Sequence, residues 1–210
     1  TEYEFKLVVC TRLMTLPRGH RSFPLRCNCG TLCTDAKALI THAFGGCDRL
    51  SSFTASQRHQ FVKFALANVI RSFGLNVIVE PNFYHYQGTD IRHRPDITVI
   101  SGQPVATDIV ISAQDGEVGH AATRAAERKK SHHTEAVRAH HHIFIPFSLE
   151  THGHKDKCCT ELIDYIKKAL APYQQRHFER DVNTAVSTAL AKARAATLMA
   201  IGHYDFIHGF

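Results

Sequence analysis

The spacing of apolar and polar residues changes along the chain, and each change predicts an element. Residues 2–9, EYEFKLVV, alternate as a strand does and lead into a loop through Pro17, Gly19 and Pro24. Asp35 to Phe44 has a short helical pattern. From Thr54 to Phe73, Phe61, Ala65, Leu66, Val69, Ile70 and Phe73 recur at helical spacing, with Arg58, Lys63 and Arg71 expected on the other side. Gly74 suits the end of that helix. Asn76 to Glu80 (NVIVE) then reads as a strand stopped by Pro81. Arg92 to Ser112 reads as two Ile-, Val- and Thr-rich strands joined by a turn at Ser101, Gly102, Gln103 and Pro104. Glu117 to His140 predicts a long helix, IFIPF a further core strand, and Asp156 to Leu170 another helix. A last Ala-rich amphipathic helix is expected from Gln175 to Ala200. Helices alternating with short strands predict an α/β protein.

Asp108 interrupts one of the most apolar runs in the chain. A charge there costs several kcal/mol unless it is paired or holds a metal. The hairpin register offers a reason. If Asp96 lies opposite Asp108, both project from the same face with Cβ atoms roughly 5 Å apart. A slip by one residue would put them on opposite faces. Two carboxylates so close repel unless a divalent cation lies between them. A metal-dependent phosphodiesterase site is therefore the working expectation, with Glu80, at the end of the preceding strand, as a further acidic member. Helical phase adds a cation. Counting 100° per residue from Val118, Lys129 falls at about 20°, near the centre of an apolar stripe made with Ala121, Ala122, Ala125, Ala126 and Ala136. His133 follows one turn later, and Lys130 sits on the flank at about 120°.

Four of the seven Cys lie between Cys27 and Cys47, close to His42. Cys27, Cys29, His42 and Cys47 supply the two close pairs that a closed tetrahedral Zn²⁺ site uses, with Cys33 able to replace one of the first pair. Cys158 and Cys159 are adjacent and poorly placed to share one metal. Nor do His140, His141 and His142 share one face of a helix or strand.

Composition narrows the class. Across 210 residues, 44% are hydrophobic and 21% charged, as in an ordinary globular protein with a real core. No apolar run approaches the ~20 residues needed to cross a membrane. The net charge of +6, with 16 His besides, favours a polyanionic partner. The stretch from Pro81 to Arg94 mixes Phe83, Tyr84 and Tyr86 with Arg92, His93 and Arg94, which suits phosphate contact and base stacking, or aromatics tucked against a core. The first residue is Thr rather than Met, so a piece of a longer polypeptide or a processed form is expected.

The order helix, strand, hairpin, helix, strand, helix resembles the core of the restriction-endonuclease-like superfamily, with Pro95-Asp96 and Asp108 similar to its PD-(D/E)xK motif. Val110 stands where that motif has Lys. A narrower resemblance is to the restriction-like endonuclease domain of site-specific non-LTR (LINE-type) retrotransposon proteins. It is carried by the Cys27, Cys29, His42, Cys47 knuckle, Arg58-His59, Gly74 to Pro81, and Arg94-Pro95-Asp96. Asp108-Ile109-Val110, Glu127 to Lys130 and Pro146 to Gly153 complete it. It covers about residues 25–200. The His42 to Cys47 spacing is one residue longer than that group's, and His133 stands where it often has Tyr.

The resemblance implies a mixed central sheet flanked by helices, with residues 26–50 a zinc knuckle and 51–172 the nuclease core. Residues 1–25 would trail from an upstream region and 173–210 form a C-terminal helix and tail. It implies catalysis by Asp96, Asp108 and Lys129 with Glu80, Mg²⁺ or Mn²⁺ on the two Asp, and structural Zn²⁺ on the knuckle. Arg58, Arg92, Arg94, Lys130 and His133 would contact nucleic acid. The implied activity is nicking of DNA for target-primed reverse transcription, in the nucleus or, if repurposed, an organelle. A rival is a non-catalytic DNA- or RNA-binding part of a larger assembly, and a weaker one a tRNA- or DNA-repair nuclease.

Overall fold

The computed structural model describes residues 23–27, 29–45, 47, 51–82, 84, 94–113 and 116–206, with only the helix path given for 44–45, 51–54 and 198–206. The alternating stretch at residues 2–9 and Arg92 lie outside the described residues, as does most of the aromatic and basic loop. The chain divides into two compact units, Thr1–Phe61 with Thr188–Phe210, and Val62–Ser187. Among the described residues no helix is long and apolar enough to cross a membrane.

The first unit contains a two-stranded ribbon, β1 (Leu25–Arg26) and β2 (Leu32–Cys33), paired antiparallel. Helix α1 (Ala36–Gly45) follows, its first turn capped by Asp35, whose carboxylate accepts from the Ala38 N–H at 2.8 Å. Helix α2 (Ser51–Ser72) begins in this unit and ends in the second.

The second unit is built on a mixed sheet flanked by helices. Strands β3 (Asn76–Val79), β4 (Ile97–Ile100), β5 (Val105–Thr107) and β7 (Ile143–Phe144) lie in that order. The first two contacts are antiparallel and β5 runs parallel to β7. A parallel pair, β6 (Ile109–Ser112) with β8 (Phe147–Glu150), continues the same offset. The continuous second strand expected from the sequence is thus split at Asp108. Carrying the offset of β5/β7 and β6/β8 through the gap sets Asp108 opposite Pro146. Ladder hydrogen bonds flank this position, with Ile145 N–H donating to the Ala106 carbonyl at 3.0 Å and Phe147 N–H to the Asp108 carbonyl at 2.9 Å.

Helix α3 (His120–Arg138) packs on β6, β7 and β8. Ala121, Ala122, Ala125, Ala126 and Ala136 are buried, and their small size lets the Ser148 hydroxyl donate to the Ala122 carbonyl at 2.6 Å. Val118 is exposed in the turn before the helix, not part of that stripe. Helix α4 (Lys157–Lys167) packs on β8 and is capped by Asp156, while α5 (Pro172–Phe206) starts on its own Pro. Phe178 of α5 meets Phe73 edge-on at 5.2 Å.

Helix α2 rotates relative to expectation. Val62, Leu66, Ala67 and Ile70 form its buried stripe, while Phe61 and Phe64 are exposed and Arg58 and Lys63 are buried. Phe61, counted in the apolar stripe, pulled the sequence reading about one position round the helix.

Gly119 fixes the entry to α3. Its φ is +92°, its N–H donates to Glu150 Oε1 at 2.8 Å, and an added Cβ would sit 2.8 Å from His154 Nε2. Gly119→Ala therefore combines left-handed strain with a clash, a cost of about 1–3 kcal/mol. A thermal melt followed by circular dichroism is expected to shift down by several degrees.

Candidate functional site

Strand pairing places the two acidic residues as the site requires. Ile97 pairs with Thr107, Thr98 with Ala106 and Val99 with Val105, a register that puts Asp96 opposite Asp108 at the strand ends. Both are buried, and their carboxylate oxygens lie within 4.8 Å of each other. Asp96 Oδ2 accepts the Ile109 N–H at 2.7 Å, which ties the start of β6 to the start of β4.

Helix α3 delivers two side chains to Asp108. Lys129 Nζ is 2.5 Å and His133 Nε2 3.2 Å from Asp108 Oδ2. Burial pushes the Asp108 carboxyl up. Hydrogen bonds with His133, Asp96 and Lys129, and the charge of Lys129, outweigh it and hold the group well below the usual carboxylate range.

Glu80 stands at the end of β3 in a left-handed conformation, φ +50°. Its Oε1 is 2.5 Å from Lys63 Nζ and its Oε2 2.8 Å from Arg94 Nη2. Lys63 Nζ also lies 3.9 Å from Asp96 Oδ1. Only 1% of Lys63 is exposed. Lys63 is the residue that sequence reasoning missed. The signal was present, since Val62, Leu66 and Ile70 repeat at helical spacing and carry Lys63 on their flank.

The residues expected at nucleic acid separate. Arg94 is exposed and Lys130 half-buried, with Lys130 Nζ 3.8 Å from Glu161. His133 is buried instead, packed against Phe144 with ring centroids 5.1 Å apart, because Asp108 needs its nitrogen. Arg58 is 7% exposed, and its Nε and Nη1 have no hydrogen-bond partner among the described residues. Burial lowers its pKa. Of the aromatic loop, Tyr84 is tucked inward, bonding Thr98 at 2.9 Å and His142 at 2.7 Å.

In the first unit, Cys27, Cys29, His42 and Cys47 converge, while Cys33 stays outside the group on β2. Cys27 Sγ is 3.6 Å from Cys47 Sγ, and Cys29 Sγ is 3.2 Å from His42 Nε2. Two sulfurs each about 2.3 Å from a tetrahedral Zn²⁺ are about 3.8 Å apart, so the four donors fit a metal closely. Gly30, at φ +96°, closes the turn that returns the chain from Cys27 to Thr31. Burial pushes the Cys27 thiol up to about 11, whereas the Thr31 hydroxyl and backbone lower Cys29 to about 6. Cys158 and Cys159 are buried on α4, with Cys159 Sγ donating to the Ser148 carbonyl.

No protein-family model matches this sequence, and no curated protein matches it.

Elemental analysis is expected to find about one Zn per chain, absent from Cys47→Ser, with loss of protection in residues 25–45. Asp108 gives a pH test. Its depressed pKa contributes stability that is present above about pH 4, the unfolded value, and is lost as pH falls toward the folded one. The stability advantage of the wild type over Asp108→Asn in metal-free buffer is therefore expected to shrink below pH 4 by about 1.4 kcal/mol per unit. Urea titrations between pH 5 and 3 measure it; an advantage independent of pH would contradict the pairing.

Proposed function

We propose that residues 51–172 form a metal-dependent DNA endonuclease of restriction-endonuclease-like architecture, positioned on DNA by a Zn²⁺ knuckle at residues 26–50. The observation that supports this reading most is the convergence of Asp96, Asp108 and Lys129 from three separate elements on one point. The donor set suits Mg²⁺ or Mn²⁺. Oxygen ligands about 2.0–2.1 Å from an octahedral ion are separated by about 2.9–4.2 Å, and the Asp96 and Asp108 oxygens lie within 4.8 Å. An ion on these two carboxylates would polarise a scissile phosphate and acidify water. Lys129, on leaving Asp108, is placed to stabilise charge developing on the phosphate oxygens. His133 holds Asp108 in orientation through Nε2. Exposed Arg94 and half-buried Lys130 offer phosphate contacts that position a strand without reading its sequence. The role in which such a nick would serve is exposure of a 3′-OH to prime reverse transcription, in the nucleus.

A second reading has its own support. Each of the three carboxylates already lies near a cationic side chain: Asp108 near Lys129, Glu80 near Lys63 and Arg94, and Asp96 near Lys63. A site balanced by its own cations can be a structural remnant in a non-catalytic DNA- or RNA-binding module.

Nicking of supercoiled DNA with Mg²⁺ separates the two. The endonuclease reading expects nicking that Asp96→Ala abolishes and Lys129→Ala lowers by about 10²–10³-fold. Tight binding to nucleic acid with no cleavage by the wild type would establish the binding module.

A further inference from the structure

The position of Lys63 bears on how many ions the site holds. Its ammonium is almost completely buried, 2.5 Å from Glu80 and 3.9 Å from Asp96. A two-metal site needs a second ion about 3.5–4 Å from the first, held by carboxylates on its far side. Here the carboxylate available for that task is Glu80, and both its oxygens face protein cations, Lys63 on Oε1 and Arg94 on Oε2.

We propose that Lys63 is a built-in cation filling the second position, so that the site takes a single divalent ion on Asp96 and Asp108 and Glu80 is not a ligand. The inference rests on the divalent-cation reading above. It makes Lys63 a positioning residue: it holds Glu80 and screens Asp96 without touching substrate.

Two cations in the site behave differently. The Lys129 side chain is 32% exposed, so its ammonium can leave Asp108 for water and yield that carboxylate to an ion. Lys63 has no such exit. Displacing it would leave a charge buried without its partners, which is far more costly than rehydrating Lys129. One exchangeable and one fixed cation give one metal position.

The test counts Mn²⁺ on the Zn-loaded full chain by electron paramagnetic resonance and calorimetry. Wild type is expected to bind a single ion. Lys63→Gln, which frees Glu80 and removes the fixed charge, is expected to bind two. Glu80→Gln is expected to keep the single ion, with affinity lowered by no more than the about 10–100-fold that loss of a partner behind the ligands costs. Two ions on the wild type, one on a folded Lys63→Gln, or loss of the ion in Glu80→Gln would each overturn the proposal while leaving the divalent site itself standing. No Mn²⁺ bound to the wild type would overturn the divalent reading on which it rests. Should Lys63→Gln not fold, the wild-type count and the Glu80→Gln affinity still decide.

Discussion

The second unit depends on holding two acidic side chains side by side inside a protein interior. Asp96 and Asp108 face each other at the ends of β4 and β5, both nearly closed to water. Left alone, such a pair would take up a proton or force the strands apart. Around them the chain has assembled donors from every neighbouring element. The Ile109 N–H comes from β6, Lys129 and His133 from α3, and Lys63 from α2. This explains features that look unrelated in sequence. The Ala stripe of α3 brings that helix near enough for Lys129 to reach, and the Ile109 N–H at the start of β6 donates to the Asp96 carboxylate.

What could be read from the sequence follows from how each signal is encoded. The hairpin register was legible because strand periodicity is two, so only a register with Asp96 opposite Asp108 joins the acids on one face. The approach of Lys129 to Asp108 was legible because small, uniform Ala residues mark helical phase cleanly. The phase of α2 was not, since Phe61 recurs at helical spacing with the buried residues yet lies outside. Lys63 was hidden by the same error: a lysine is assigned to solvent unless its anionic partners are known, and those come from distant strands. In the knuckle, spacing alone left Cys33 as a possible ligand. The ribbon resolves this by placing Cys33 on β2, outside the cluster.

The two units solve the same electrostatic problem with different chemistry. Three Cys and a His cannot remain as closely packed thiols and imidazole without some loss. The split between Cys27, raised by burial, and Cys29, lowered by Thr31, shows how unequal their environments are. The close Cys27–Cys47 and Cys29–His42 approaches leave the right span for one metal ion. At Asp96 and Asp108 the protein sets its own cations against the acidic groups. Lys63 and Arg94 lie against Glu80, Lys63 near Asp96 and Lys129 against Asp108.

That difference sets what each site can do. A metal on the Cys27, Cys29, His42 and Cys47 cluster would be a staple, and its removal should be felt as unfolding. An ion of the kind proposed at the acidic pair would bind by exchange, and the energy of that exchange is governed by the cation that leaves. Half-exposed Lys129 recovers water when displaced, whereas Lys63 would not. Activity of the kind proposed therefore turns less on the acidic pair, which either function would retain, than on whether Lys129 leaves Asp108 more easily than a divalent ion leaves water. A nuclease and its silent descendant can share every residue of this site and differ only in the balance of that one exchange.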